Sequence, residues 1–223
     1  MPRKAGPHVT DRVMLAISIT RQFDGIWIGS CRRSQDDLTR IERALLLVNQ
    51  HSPVHYSRII RELERIWINL VPHGVAAYYH SLKACVLDER FVEDTATSVE
   101  HIASAIVHES THARLERYGI AYDEDQRARI EGICFRRELA LAVRLPDGAK
   151  LQQGIVASLD WYKANPDYFR EPQFRERYVN GQIEALRHLG APKWLIRLLL
   201  ISLSIIARTK RLFSIDRRSI SLG

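Results

Sequence analysis

Five residues constrain this chain more than any other stretch: His108-Glu109-Ser110-Thr111-His112, a histidine pair at i and i+4 with a carboxylate directly after the first. At that spacing two imidazoles leave one face of a helix close enough to share one cation. The surroundings have the periodicity such a helix needs, with Val99, Ile102, Ala103 and Ile106 three and four apart. Thr97-Ser98-Val99-Glu100 has the form of a capping box and sets the start of the helix, and Gly119 ends it. Zinc accepts two such nitrogens, and Glu109 then stands where a base can take a proton from water that the ion has acidified.

Catalytic zinc usually takes three protein ligands, so a further donor is needed. Glu131 is the best candidate. It follows His112 after eighteen residues, in a second helix marked by Ile130, Ile133, Cys134 and Leu141, whose start suits the acids Asp123, Glu124 and Asp125. A tight turn between the helices brings Glu131 back to the ion. Cys134, one turn on, and Glu116 compete for the place, although Glu116 lies two helical turns from His108.

HExxH, eighteen residues and then Glu on the next helix resembles the gluzincin group of zinc metallopeptidases. The resemblance covers roughly 100–138, and elsewhere the chain is similar to uncharacterised bacterial HExxH proteins. It implies a zincin-like domain in which His108, His112 and Glu131 bind Zn2+, Glu109 activates water, and a peptide or protein is cleaved. Many gluzincins carry an acid four residues after the glutamate ligand, where this chain has Phe135; Glu138 or Asp125 is then the candidate to orient a histidine. The third histidine and glycine turn of metzincins are missing, with Leu115 and Tyr118 in their places.

The rest of the chain reads as α+β and mainly helical. Ser34 caps a helix through about Val48, and a second runs from Pro53 to about Ile66, each with one apolar stripe. Residues 67–92 are rich in β-branched and aromatic side chains around the turn Pro72-His73-Gly74, and fit a small sheet. The strand expected nearest the metal helix is 83–88, either an edge that pairs with extended substrate or an interior strand. Residues 13–17 and 25–29 are further strand candidates or part of a weakly structured extension. Helices are expected at 149–164 and 171–189. An oxyanion donor could come from His73, Tyr78, Tyr79, His80, Tyr118 or Tyr122, or from an arginine among Arg127, Arg129, Arg136 and Arg137; no spacing rule selects one.

Composition bounds the partners. With 46% hydrophobic and 26% charged residues, the 223-residue chain can bury one good core. Three cysteines at no disulfide spacing fit reduced thiols and a cytoplasmic protein. Of the net charge of +7, residues 187–223 carry eight Lys and Arg against one acid, while the metal region is near neutral. This divides the chain into an N-terminal extension (1–33), a zincin-like domain (34–190) and a basic, apolar C-terminal arm (191–223). Within 193–211 the apolar run is too short to span a bilayer, and Arg197, Ser204, Arg208 and Arg211 form one stripe. Such an arm suits the inner, anionic face of a membrane or packing and self-association; no motif or aromatic interleaving points to nucleic acid. A rival to the peptidase is a non-catalytic metal-containing or zincin-like protein that acts through this arm.

Overall fold

The computed structural model describes residues 9–31 and 34–198. The arm expected over 191–223 therefore lies outside the described residues from 199 on, as do residues 1–8 of the expected extension. Helices dominate, and five strands form one mixed sheet: β1 (Ile19–Phe23), β2 (Ile26–Ser30), β3 (Arg65–Asn69), β4 (Ala76–Tyr79) and β5 (Ala84–Asp88), ordered β1-β2-β3-β5-β4. β2, β3 and β5 run parallel; β1 and β4 are antiparallel edges. A two-residue turn joins β1 to β2, and Asp24 and Gly25 take the positive φ angles, 46° and 84°, that such a turn needs.

Alternation along the strands builds two packed layers. In β3, Ile66 and Ile68 point to one face and Trp67 to the other; in β5, Cys85 and Leu87 oppose Ala84 and Val86, all fully buried. The Ile66 face packs on helices α2 (Gln35–His51), α3 (Pro53–Glu62) and α5 (Val99–Arg117). The Trp67 face meets Met14 and Leu15 of α1 (Val9–Ile17), and Trp67 Nε1 donates to Ser18 Oγ at 3.2 Å. A short α4 (Glu89–Glu93) leads from β5 towards α5, and α6 (Glu124–Ala142), α7 (Ala149–Ala164) and α8 (Glu171–His188) complete the order.

Several expectations change. Residues 13–17 are helix rather than strand, because Met14 and Leu15 are drawn to the sheet face. The hairpin at 19–30, inside the segment expected as an extension, is paired into the sheet, with Ile26 and Ile28 in the core. The helix expected to reach Ile66 stops at Glu62, because Ile66 pairs between Ile28 and Cys85. Of the two alternatives for the 83–88 strand the interior one holds, since every residue of β5 is buried; the edge beside α5 is β4.

Candidate metal centre

α5 lies at the centre of the helical layer, with Ile102, Ala103, Ile106 and Val107 buried. Ser98 caps it, accepting from His101 N–H. At the other end Gly119, with φ 78°, makes the glycine-terminated turn expected there: Gly119 N–H donates to Glu116 O and Ile120 N–H to Leu115 O. That turn reverses the chain, and α6 returns antiparallel along α5. Side-chain pairs run in opposite order on the two helices, Ser104 with Glu138 and His112 with Glu131.

Glu131 reaches both histidines. One carboxylate oxygen is 3.1 Å from His108 Nε2, and the other is 3.5 Å from His112 Nε2. The side chains of His108, His112 and Glu131 are 14%, 15% and 14% exposed, so the group is sunk in the protein without being sealed. Glu138 accepts from Ser104 Oγ and stands 2.5 Å from His108 Nδ1, which directs Nε2 towards Glu131. Asp125, the other acid expected in that role, is exposed in the first turn of α6. Cys134, one turn beyond Glu131 and fully buried, joins His108 and His112 in a group whose ligand atoms lie within 4.8 Å of one another. Glu116 is drawn elsewhere, to His80 Nδ1 at 2.5 Å.

No family model, curated protein or solved structure matches this chain.

Burial and the close packing of acids against imidazoles set the electrostatics of the group. Burial would push His108 down, but Glu138 and Glu131 outweigh it and hold the imidazole well above its usual range. Burial and the nearby His108 charge push His112 to about 4. Burial works against ionisation of Glu131, yet the His108 hydrogen bond, both imidazoles and Tyr122 bring it to about 2. Glu109 moves the opposite way from Glu131: burial lifts it to about 7, with His108 opposing. Burial also raises the Cys134 thiol far above its normal range. A ring nitrogen from each histidine and the Cys134 sulfur, with the Glu131 carboxylate beside both imidazoles, form a set suited to a borderline or soft divalent ion.

Glu109 also meets the sheet. Asp88 N–H donates to Val75 O at 2.9 Å, so odd-numbered residues of this stretch face β5 and even-numbered ones face away. The backbone of Tyr78, one of the latter, lies near enough to Glu109 to favour its charged form. The outer edge of β4 thus runs beside the candidate base. Of the side chains considered as oxyanion donors, Tyr122 comes nearest the group, its hydroxyl donating to Glu131 at 2.6 Å and its ring 5.4 Å from that of His112. His73 lies near enough to feel the Glu131 charge, and accepts from Arg177 Nε at 3.4 Å. Tyr79 packs on the opposite face of the sheet, His80 pairs with Glu116, and Tyr118 lies exposed under Arg114 and Arg117. Arg127 is committed to Phe169 O and Glu171, while Arg129, Arg136 and Arg137 are exposed.

Ser104 is the participant that the sequence reading missed. Its signal was present, since 104, 108 and 112 make one stripe at intervals of four. Phe135, found where an acid was sought, packs its ring 5.1 Å from His108. The large surface groove, about 1140 Å³, lies elsewhere, between α1 and α8, and touches α5 only at Glu116.

Proposed function

We propose that this chain is a zinc-dependent hydrolase acting on peptides or proteins, with His108, His112 and Glu131 as ligands and Glu109 as general base. The observation that carries the reading is donor spacing. The Glu131 carboxylate sets one oxygen 3.1 Å from His108 Nε2 and the other 3.5 Å from His112 Nε2, each close to the ~3.3 Å between donors that tetrahedral bonds of about 2.0–2.1 Å impose. Bound there, Zn2+ supplies Lewis acidity, polarising a carbonyl and acidifying water. Glu138 holds His108 by Nδ1 and leaves Nε2, which faces Glu131, as the nitrogen that would hold the ion. Glu109, poised near neutrality by burial, takes the proton of the attacking water and returns it to the leaving amine. Tyr122 is the donor assigned to the oxyanion. An extended peptide laid along the free side of β4 would present its carbonyl beside Glu109. The gluzincin likeness of the HExxH-x18-E pattern agrees with this assignment.

The test is zinc content and peptide hydrolysis of the purified protein. Glu109→Gln should keep the metal and reduce hydrolysis by about 10²–10⁴-fold, and His108→Ala combined with His112→Ala should lose the metal. Hydrolysis that survives Glu109→Gln, or zinc that survives the double substitution, overturns the reading. One observation favours a second reading: with Cys134 beside the histidines, four protein ligands would make a closed, structural site of the rival, non-catalytic kind.

A further inference from the structure

We propose that Cys134 is a fourth ligand of the ion held by His108, His112 and Glu131, so that the resting coordination sphere is closed to water. The inference rests on the metal reading above and adds a residue that the HExxH-x18-E pattern does not contain. Three observations carry it. Residues 131, 134 and 138 lie along one face of α6, and the outer two meet the metal helix through His108 and Ser104. Cys134, between them, has a side chain withdrawn wholly from solvent, and its sulfur lies within 4.8 Å of one ring nitrogen of each histidine. Among the described hydrogen bonds none involves that thiol, whereas Glu131 and Glu138 on either side are each doubly bonded.

The fit is geometrically accessible. With bonds of about 2.3 Å to sulfur and 2.1 Å to nitrogen, a tetrahedral ion separates S from N by about 3.6 Å. The remaining gap is at most about 1.2 Å, a distance that torsion about the Cys134 Cα–Cβ bond can supply. Ligation breaks the S–H bond, forms a sulfur–metal bond and releases the proton to solvent, with no change of oxidation state. A thiolate in the sphere selects Zn2+ or Co2+ over Mg2+ and Ca2+, which prefer oxygen. Hydrolysis then requires the sulfur to exchange with water during each turnover, so Cys134 slows the reaction without abolishing it.

The full chain, stripped of metal and loaded with Co2+, decides the matter. The expected result is one tightly bound Co2+ with a strong near-ultraviolet thiolate-to-cobalt absorption band. That band should be lost in Cys134→Ala and Cys134→Ser while the visible cobalt bands remain. Zinc-edge X-ray absorption of the unsubstituted protein, which needs no variant, should show one sulfur scatterer at about 2.3 Å. Cobalt bound without the band, or zinc without the sulfur, overturns the cysteine ligand and leaves the hydrolase reading standing. A band that persists in Cys134→Ala assigns the sulfur to another cysteine and also overturns it. If neither ion binds, this proposal and the metal reading fall together.

Discussion

Glu138 holds His108 at Nδ1 and is held in turn by Ser104, so a charge two turns along α6 sets which imidazole nitrogen faces Glu131. Glu138→Gln keeps the volume and removes the charge. The expected result is a roughly 10–100-fold loss of zinc affinity in chelator competition, with unchanged stoichiometry at saturating metal. A second residue makes stability depend on pH. His55 is buried, shares a 2.7 Å hydrogen bond with Ser52 Oγ, and has its pKa lowered to about 4 by burial and by Arg58, Arg144 and Arg137. The unfolded chain therefore binds a proton, between its ordinary value near 6.5 and about 4, that the folded chain refuses. Stability from this group is complete above about pH 6.5 and falls as pH drops through that window, by on the order of 2 kcal/mol. Urea titrations at about pH 7 and about pH 4.5 should show a smaller difference for His55→Gln than for the unsubstituted protein.

α5 and α6 form the element on which the candidate centre depends, and each end of their hairpin is locally specified. Ser98 supplies the cap and Gly119 the left-handed turn. α8 is held differently, by tertiary fit. A Cβ at Gly181 would lie 1.2 Å from the Pro72 carbonyl oxygen, so only glycine lets α8 approach the loop before β4. From that position α8 sends Phe174 towards Tyr122 and His73 and Arg177 towards His73. Gly181→Ala should lift α8 from the loop. Limited proteolysis between residues 166 and 189 should accelerate several-fold, while bound zinc stays at the unsubstituted level because no proposed ligand lies on α8. Loss of zinc in this variant would show that α8 helps build the centre.

Across the whole molecule, the layers divide structure from attachment. The sheet and α2, α3 and α5 make the main core, whereas among the residues of α8 and of 193–198 only Ala185 and Ile196 are buried, and Trp194 and Leu198 are exposed. Among the described residues no helix is long and apolar enough to cross a membrane. Truncation after Gly190 is therefore expected to leave zinc stoichiometry unchanged and to abolish sedimentation with anionic vesicles, the surface that the basic arm suits. Equal sedimentation of the two proteins removes the membrane as a partner.

Local periodicity sufficed to place His108, Glu109 and His112 on one helix, to end that helix at Gly119, and to put Glu131 on the helix that follows. A helix repeats its own geometry about every 3.6 residues, and a short link leaves its neighbour little choice but to fold back. The caps at Ser34 and Ser98 were readable for the same reason, since a cap bonds within three residues. Strand order was not readable. β5 lies inside because β3 claims one edge of it and β4 the other, and Ile19–Ser30 joins the sheet only because β3, a distant stretch of the chain, accepts it. Equally, the choice of Glu138 over Asp125, the diversion of Glu116 to His80, and the approach of Cys134 to both imidazoles follow from how two helices are turned about their axes. Packing of α5 against the sheet and of α6 against α5 and α7 sets that rotation, and the contacts responsible join residues too far apart in the chain for any pattern of neighbours to reveal.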